Sequence, residues 1–325
     1  MITLTTRSGE VQSLSVVDAA PTLGDEIVWL DLLSPTREEE LLVERYLGFE
    51  VPTRDDLKDI EPSSRLYSED GAVFMTASLV LRANSDSPEL TDVAFILAAN
   101  RLVTIRYTTP KSFDLFRAAM HRAPDSCQSG PKLLGRLFET IVDRTAEILE
   151  QGVLEIDALS QQVFGDKSRV RRRPPRYLEE RLMDVASHHR LVNKTRDSLM
   201  SLSRVLTYLY TVPSVQEDKD LRELCRTISR DIQSLSEHAS FISGNITFLL
   251  DASLGLINVE QNAIIKIFSI ASVVFLPPTL VASIYGMNFQ NMPELNWTYG
   301  YPASLALMVI SGIIPFFFFR WKGWL

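Results

Sequence analysis

The sequence predicts an α+β membrane protein: an N-terminal α/β domain, a helical region, one very long helix and two apolar spans at the C-terminus. Three observations carry that prediction. The first is an uneven charge distribution. The 325 residues have a net charge of −8, yet Ala263–Leu325 holds only four charged side chains, Lys266, Glu294, Arg320 and Lys322. That stretch is +2, so residues 1–262 are −8 − 2 = −10. An acidic body excludes general nucleic-acid affinity, which needs a basic surface. A mean hydropathy of +0.04 is high for a soluble chain with 23% charged residues. The second observation is an unbroken apolar repeat after Ser214. The third is a pair of apolar segments long enough to cross a bilayer.

From the N-terminus, Met1–Arg7 lacks the apolar core of a signal peptide, so the acidic body is expected in the cytoplasm. Ile27–Leu30 is a short apolar run and predicts a strand. Ser34-Pro35 predicts a helix start, with Ser34 as N-cap and the helix running from Thr36 to Leu47 until Gly48 stops it. Thr53 is a second N-cap, with Asp55 and Asp56 where the helix dipole favours acids. Arg65–Met75 reads as strand, turn at Ser68–Gly71, strand; Val93–Leu97 and Leu102–Tyr107 flank another hairpin turn.

No catalytic signature occurs: there is no P-loop, dinucleotide fingerprint, nucleophile elbow or H-E-x-x-H, and the chain is not read as an enzyme. The two cysteines, Cys127 and Cys225, suggest neither a disulfide framework nor a metal site. His188 and His189 are adjacent and point in different directions on a helix, so packing roles are expected for the histidines. Residues 131–212 are helical in character, with Leu133, Leu137, Ile141, Ile148, Leu149, Leu154, Ile156 and Leu159 at helical spacing. Ser168–Arg176, basic and containing two prolines, interrupts them. It reads as a solvated loop between helices rather than an anion or lipid-headgroup patch.

Ser214–Glu217 fits a capping box. After it, Leu221, Cys225, Ile228, Ile232, Leu235, Ala239, Ile242, Ile246, Leu249, Ser253 and Leu256 alternate spacings of four and three. That heptad seam predicts a single helix from Val215 to Ile284, a stalk rather than part of a globular core. Ile264–Gly286 and Tyr301–Phe319 are the two spans. Lys266, Arg320 and Lys322 lie at their expected cytoplasmic ends, and Trp321 and Trp324 suit the interface. The positive-inside rule then puts both termini in the cytoplasm.

The first span has two faces. Ala263, Ile267, Ile270 and Val274 continue the seam, while Asn262, Ile265, Ser269, Ser272, Leu276, Thr279 and Ser283 form an opposite stripe rich in small polar groups. Extended backward, the stripe reaches Asn258, Gly255 and Asp251. Such a stripe either helps helices pack or lines a water-filled pore. One span cannot enclose a pore, so the seam and stripe together call for several copies around an axis. Pro277-Pro278 is expected to bend or unwind the helix locally.

Tyr285-Gly286-Met287-Asn288 after the first span resembles the Gly-Met-Asn signature of the CorA family of magnesium transporters. Phe275–Leu280, Met292-Pro293-Glu294-Leu295, Gly300-Tyr301-Pro302 and the closing Trp324-Leu325 resemble it too. The strong match covers roughly Leu256 to Leu325, and the body agrees in kind. The resemblance implies a homopentameric funnel in the cytoplasmic (inner) membrane that mediates passive influx of Mg2+, and of Co2+ and Ni2+. It implies no cofactor beyond transported and regulatory Mg2+, and no partners beyond its own copies, divalent cations and lipid.

By resemblance, pore positions fall on Asn262, Ile265, Phe268, Ser272, Leu276 and Thr279, with Asp251 at the inner mouth. Phe268 takes the place that periodicity gives to Ser269. Gly286, Met287 and Asn288 become the selectivity filter, and Asn288 presents amide oxygens to hydrated Mg2+. Gly286 lets the chain turn, and Met287 packs. Where the family often ends in a run of lysines before Trp-Leu, this chain has Arg320-Trp321-Lys322-Gly323-Trp324-Leu325.

Gating by cytoplasmic Mg2+ is expected from the repulsion among acidic bodies, with Asp218, Asp220, Glu223, Asp231 and Glu237 as possible regulatory acids. The expected division is 1–130 (cytoplasmic α/β), 131–213 (cytoplasmic helices), 214–262 (stalk), 263–286 (first, pore-lining span), 287–300 (extracytoplasmic loop), 301–320 (second span) and 321–325 (cytoplasmic tail). Two alternatives stay open at this point: a ZntB-like zinc transporter, and a membrane-anchored cytoplasmic sensor without transport.

Overall fold

The computed structural model describes residues 1–14, 24–58, 65–85, 87–122, 128–164, 177–288, 292 and 297–324. Contacts divide the chain into two units, 1–250 and 251–325.

The first unit is organised by strand β3 (Ile27–Leu33), six of whose seven residues are buried. A strand buried on both faces must be covered on both. Leu30 and Leu32 face a core with Ile2, Leu4, Val43, Leu57, Ile96 and Ile105. Trp29, of opposite parity, packs edge-on against Phe116 and at a tilt to Phe113. Around β3 the described residues form a seven-stranded sheet in the order β2-β1-β3-β7-β6-β5-β4. The others are β1 (Ile2–Thr6), β2 (Val11–Leu14), β4 (Leu66–Glu69), β5 (Ala72–Leu81), β6 (Glu89–Ala98) and β7 (Arg101–Arg106). Only β3 and β7 pair in parallel; each other neighbouring pair is antiparallel.

Helix α1 (Arg37–Leu47) covers one face through Val43. Its N-cap is Thr36, not the expected Ser34. Thr36 and Glu39 form a reciprocal capping box, and Ser34 instead takes a left-handed backbone with φ of 44°. Gly48 ends the helix at φ of 84°, as the sequence predicted. The Thr53 start yields only one short turn, Asp56–Lys58, with Asp56 accepting hydrogen bonds from the Thr53 N–H and hydroxyl. On the other face lie α2 (Lys111–Arg122), α3 (Gly130–Phe164) and α4 (Tyr177–Leu209). The loop 168–176 falls outside the described residues, as does Cys127. Of the apolar positions read on α3, Leu154 is exposed; the rest are buried.

The expected single helix from Val215 is two. A one-turn helix, α5 (Pro213–Gln216), has Val212 as its N-cap and no side-chain cap, so Ser214–Glu217 is not a capping box. The long helix α6 (Lys219–Tyr285) begins after Asp218, whose carboxylate accepts from the N–H groups of Asp220 and Leu221 at 3.0 Å. Asp218 is the true helix cap. Within the first unit, the seam of α6 from Leu221 to Leu249 is buried in the single chain, with Leu235 half-buried. Gly135 of α3 sits against Leu221 and Leu224, and His189 of α4 meets Ser243 at 3.4 Å. This part of the seam therefore needs no second copy to cover it, contrary to the expectation that it does.

The second unit holds the C-terminal part of α6 and α7 (Gly300–Trp321). Helix α6 runs through Pro277 and Pro278 without interruption, and α7 through Pro315. Both carry windows apolar and long enough to cross a membrane, and both windows are almost wholly uncovered by the rest of the chain. A soluble core helix would be covered; an apolar surface of this size calls for lipid or further copies.

Candidate functional site

The site begins with how α7 meets the last turns of α6. A methyl group added at Gly312 would lie 3.3 Å from the Pro278 side chain and 3.6 Å from the Val274 carbonyl oxygen. A missing side chain thus lets the helices approach, as small residues do between membrane helices. Ile270 is only 8% exposed. Lys266, Val274, Pro277, Pro278, Val281 and Tyr285 are half-buried on the same side. Lys266 lies 5.6 Å from the Trp324 ring, which stacks on Phe319. Ala263 and Ile267, which continue the heptad seam, are exposed, because the cover follows Gly312 and not the heptad count.

At 100° per residue, the stripe predicted for the pore lies about 180° from this covered face. Asn262, Ser272 and Thr279 are exposed, and so are Ile265 at 61%, Phe268 at 70% and Leu276 at 66%. Ser269 and Ser283 are exposed as well, so both Phe268 and Ser269 are available to the stripe. Asp251 is exposed at its start. The hydroxyls of Ser272 and Thr279 donate to the carbonyls of Phe268 and Phe275, at 2.9 and 2.7 Å. Each hydroxyl proton is thereby used inside the helix, and the oxygen lone pairs remain free to accept. Such oxygens can receive hydrogen bonds from water around a cation.

Gly286 closes α6 with its N–H on the Ala282 carbonyl at 2.9 Å, and the Met287 N–H follows to Ile284 at 3.3 Å. Gly286 does not need a left-handed backbone. What it avoids is a Cβ that would stand 3.1 Å from the Ala282 carbonyl oxygen. Met287 is 46% exposed rather than packed within the chain. Asn288 is exposed, and its side chain has no hydrogen-bond partner among the described residues. Glu294 lies outside the described residues.

The acids proposed for regulation belong to the first unit and differ in role. Asp218 caps α6 and pairs with Lys132 at 3.3 Å; its backbone hydrogen bond from Leu221 is the main influence lowering its pKa. Glu237 accepts from Gln233 at 3.2 Å. Asp220, Glu223 and Asp231 lie outside these pairings. Desolvation and then the charges of Glu139, Asp231 and Glu147 push the Asp143 carboxyl up, so Asp231 sits in a crowd of like charge. Among the described residues, no three His, Cys, Asp or Glu side chains converge in one chain as a metal would require.

A mixed sheet with flanking helices in one unit, and two apolar helices long enough to cross a membrane in the other, give the chain the make-up of a two-span membrane protein. The family model described as CorA-like Mg2+ transporter protein matches residues 24–321. The chain is 35% identical over 316 residues, 96% of each protein, to the magnesium transport protein CorA of Escherichia coli K12. Its fold matches the complete CorA magnesium transporter of Methanocaldococcus jannaschii with a TM-score of 0.76 and 21% identity, covering 100% of this chain and 98% of that one. The cytoplasmic domain of ZntB from Vibrio parahaemolyticus matches at 14% identity and a TM-score of 0.51, over 79% of this chain and 98% of that domain. The chain belongs to the CorA-like Mg2+ transporter family. The curated relatives make the zinc-transporter alternative the disfavoured one.

Proposed function

We propose that the chain assembles as a homopentamer in the cytoplasmic membrane and conducts Mg2+ inward through a pore lined by the exposed stripe of α6. Co2+ and Ni2+ would share the path, and both termini would be cytoplasmic. In this reading 1–262 are cytoplasmic, 263–286 line the pore, 287–300 form the outer loop, 301–320 are the second span and 321–325 the tail. The observation that carries it is the stripe itself: small polar and apolar residues left uncovered opposite the face that α7 occupies. An anchor helix has no use for that polarity, and this is what speaks against a sensor without transport.

The chemistry suits a hydrated ion. Mg2+ sheds its water reluctantly. Five Asn288 amides on an axis would offer neutral oxygens to that water shell, holding the ion without the tight grip of a carboxylate ring. Ile265, Phe268 and Leu276 would then be rings that wet or dry. No coupling ion is needed. Two charges crossing 100 mV gain about 4.6 kcal/mol, roughly three orders of magnitude in accumulation at equilibrium. A passive pore with that driving force needs a cytoplasmic brake. Acids facing one another between acidic bodies could supply it, held together by internal Mg2+ and released by its loss.

The test is flux into liposomes. Asn288→Ala removes the amide oxygen without adding charge or bulk, and the exposed side chain holds nothing in place. Mg2+ uptake should fall at least tenfold while the assembly, measured as five times 36.7 kDa, persists. Wild-type flux from an intact Asn288→Ala assembly would remove Asn288 from the filter, and a conducting monomer would remove the pore.

A further inference from the structure

We propose that a cavity at the start of α2 is a binding site for the phosphate group of a small molecule, separate from the conduction path. The cavity has a volume of about 550 Å3 and lies between the end of β5, the N-terminus of α2 and the middle of α3. Three cationic residues line it, Arg82, Lys111 and Arg144, and no Asp or Glu is among its lining residues. In a chain of net charge −8 that is against the odds. The adjoining cavity, which shares Arg144, is lined by Glu147, Glu150, Glu155 and Asp184, so positive charge is not general to this face.

The second observation is Ser112. It lines the cavity and is only 5% exposed, yet its hydroxyl has no hydrogen-bond partner among the described residues. The oxygen itself is not sealed off, so a hydroxyl on an otherwise buried residue is left free to bond with whatever occupies the cavity. Ser112 and Lys111 also open α2, a 12-residue helix, and their backbone N–H groups have no acceptor there among the described residues. The positive end of the helix dipole thus coincides with the orphan hydroxyl.

The cations are not consumed by their neighbours. Lys111 has no ion pair among the described residues. Arg144 pairs with Glu147 at 2.7 Å through one Nη, and Arg82 with Glu89 at 3.2 Å; each guanidinium keeps further N–H groups. The residues that can bring donors to the cavity come from three elements: Lys111 and Ser112 from α2, Arg82 from the end of β5 and Arg144 from α3. That spread suits a tetrahedral, multiply charged oxyanion better than a planar carboxylate. The volume exceeds what a phosphate needs, and Leu79, Ile141 and Ile148 provide an apolar side for an organic substituent.

The experiment uses the full chain in lipid nanodiscs, in Mg2+-free buffer at fixed chloride. Inorganic phosphate and adenosine monophosphate are titrated separately by calorimetry. At least one should bind saturably, tighter than about 1 mM. Equal affinities would assign the site to the phosphate group alone, and tighter monophosphate binding would assign the apolar side to the organic part. Lys111→Glu and Arg144→Gln should each weaken binding roughly tenfold or more, and Ser112→Ala a few-fold, with circular dichroism and assembly unchanged. Arg7→Glu, which makes the same net-charge change as Lys111→Glu at an exposed site, should leave binding intact. If neither probe binds, or if Arg7→Glu weakens binding as much as Lys111→Glu, the site does not exist.

Discussion

Asp31→Asn is the sharpest test of what holds the first unit together. Asp31 is 1% exposed in the middle of the sheet. One oxygen accepts from Thr104 at 2.7 Å and from the Arg106 Nε at 3.0 Å, and the other from the Arg106 Nη2 at 2.8 Å and from Arg117. Thr104 in turn accepts from the Trp29 indole at 3.0 Å. Arg106 is equally buried, so the carboxylate is its counter-charge, with the Phe113 ring face at 4.6 Å beside it. The amide keeps the shape and removes the charge, leaving a buried guanidinium uncompensated. Breaking such a pair costs about 3–5 kcal/mol. For the unit 1–250, an unfolding entropy of about 0.5 kcal/mol/K converts this to a midpoint lower by about 6–10 °C. Thermal scans of the full chain at one scan rate and one subunit concentration would read it. The double variant Asp31→Asn/Arg106→Gln should cost clearly less than the two singles added, because the second change removes the stranded charge. A midpoint within about 2 °C of wild type, or strict additivity, would show that the network does not carry the charge balance assigned to it.

Other outcomes follow from close approaches and burial. Gly130→Ala should misfold or sharply destabilise the chain, since a Cβ there would collide with the Arg101 and Leu102 backbone, which cannot swing away; unchanged expression and midpoint would refute this. Gly312→Leu should separate α7 from α6 at Pro278 and lower assembly yield in detergent, whereas Gly312→Ala, facing a contact of 3.3 Å, should be mild; size-exclusion profiles would distinguish them. Burial pushes the Cys225 thiol up to about 11. At pH 8 about one part in a thousand is thiolate, so iodoacetamide should label Cys225 only on unfolding, as mapped by mass spectrometry. Rapid labelling of the folded chain would show the seam to be open.

Much of this fold was legible because it rests on local chemistry. The turns at Ser68–Gly71 and Ala98–Arg101, the stop at Gly48 and the apolar spans each declare themselves in a few residues. Strand β1 was missed although Ile2-Thr3-Leu4-Thr5 alternates, because five residues at a terminus have little to confirm them. Helix α2 was missed too, despite Pro110 and the spacing of Phe113, Phe116 and Met120. The Asp31–Arg106–Arg117 network could not have been read. Asp31 lies 75 and 86 residues from its two arginines. Arg106 reaches Asp31 because β3 pairs in parallel with β7, which puts Asp31 opposite Thr104, and Arg117 reaches it from α2.

The heptad seam shows most clearly where a sequence pattern stops being informative. A period of 3.5 says that one face of a helix is apolar along its length; it does not say what covers that face. From Leu221 to Leu249 the cover comes from α3 and α4 of the same chain. Within 251–325 the covered positions follow Gly312 of α7 instead, and Ala263 and Ile267 drop out. The case for several copies around an axis therefore does not rest on the seam. It rests on the opposite stripe, Asn262 to Thr279 and on to Asn288, exposed residues that no described residue of the chain's own second unit covers. Hydroxyls at Ser272 and Thr279 that spend their protons on their own helix are poor glue between helices, since they have no donor left for a neighbour. They remain good acceptors for water, which is what the proposed pore asks of them.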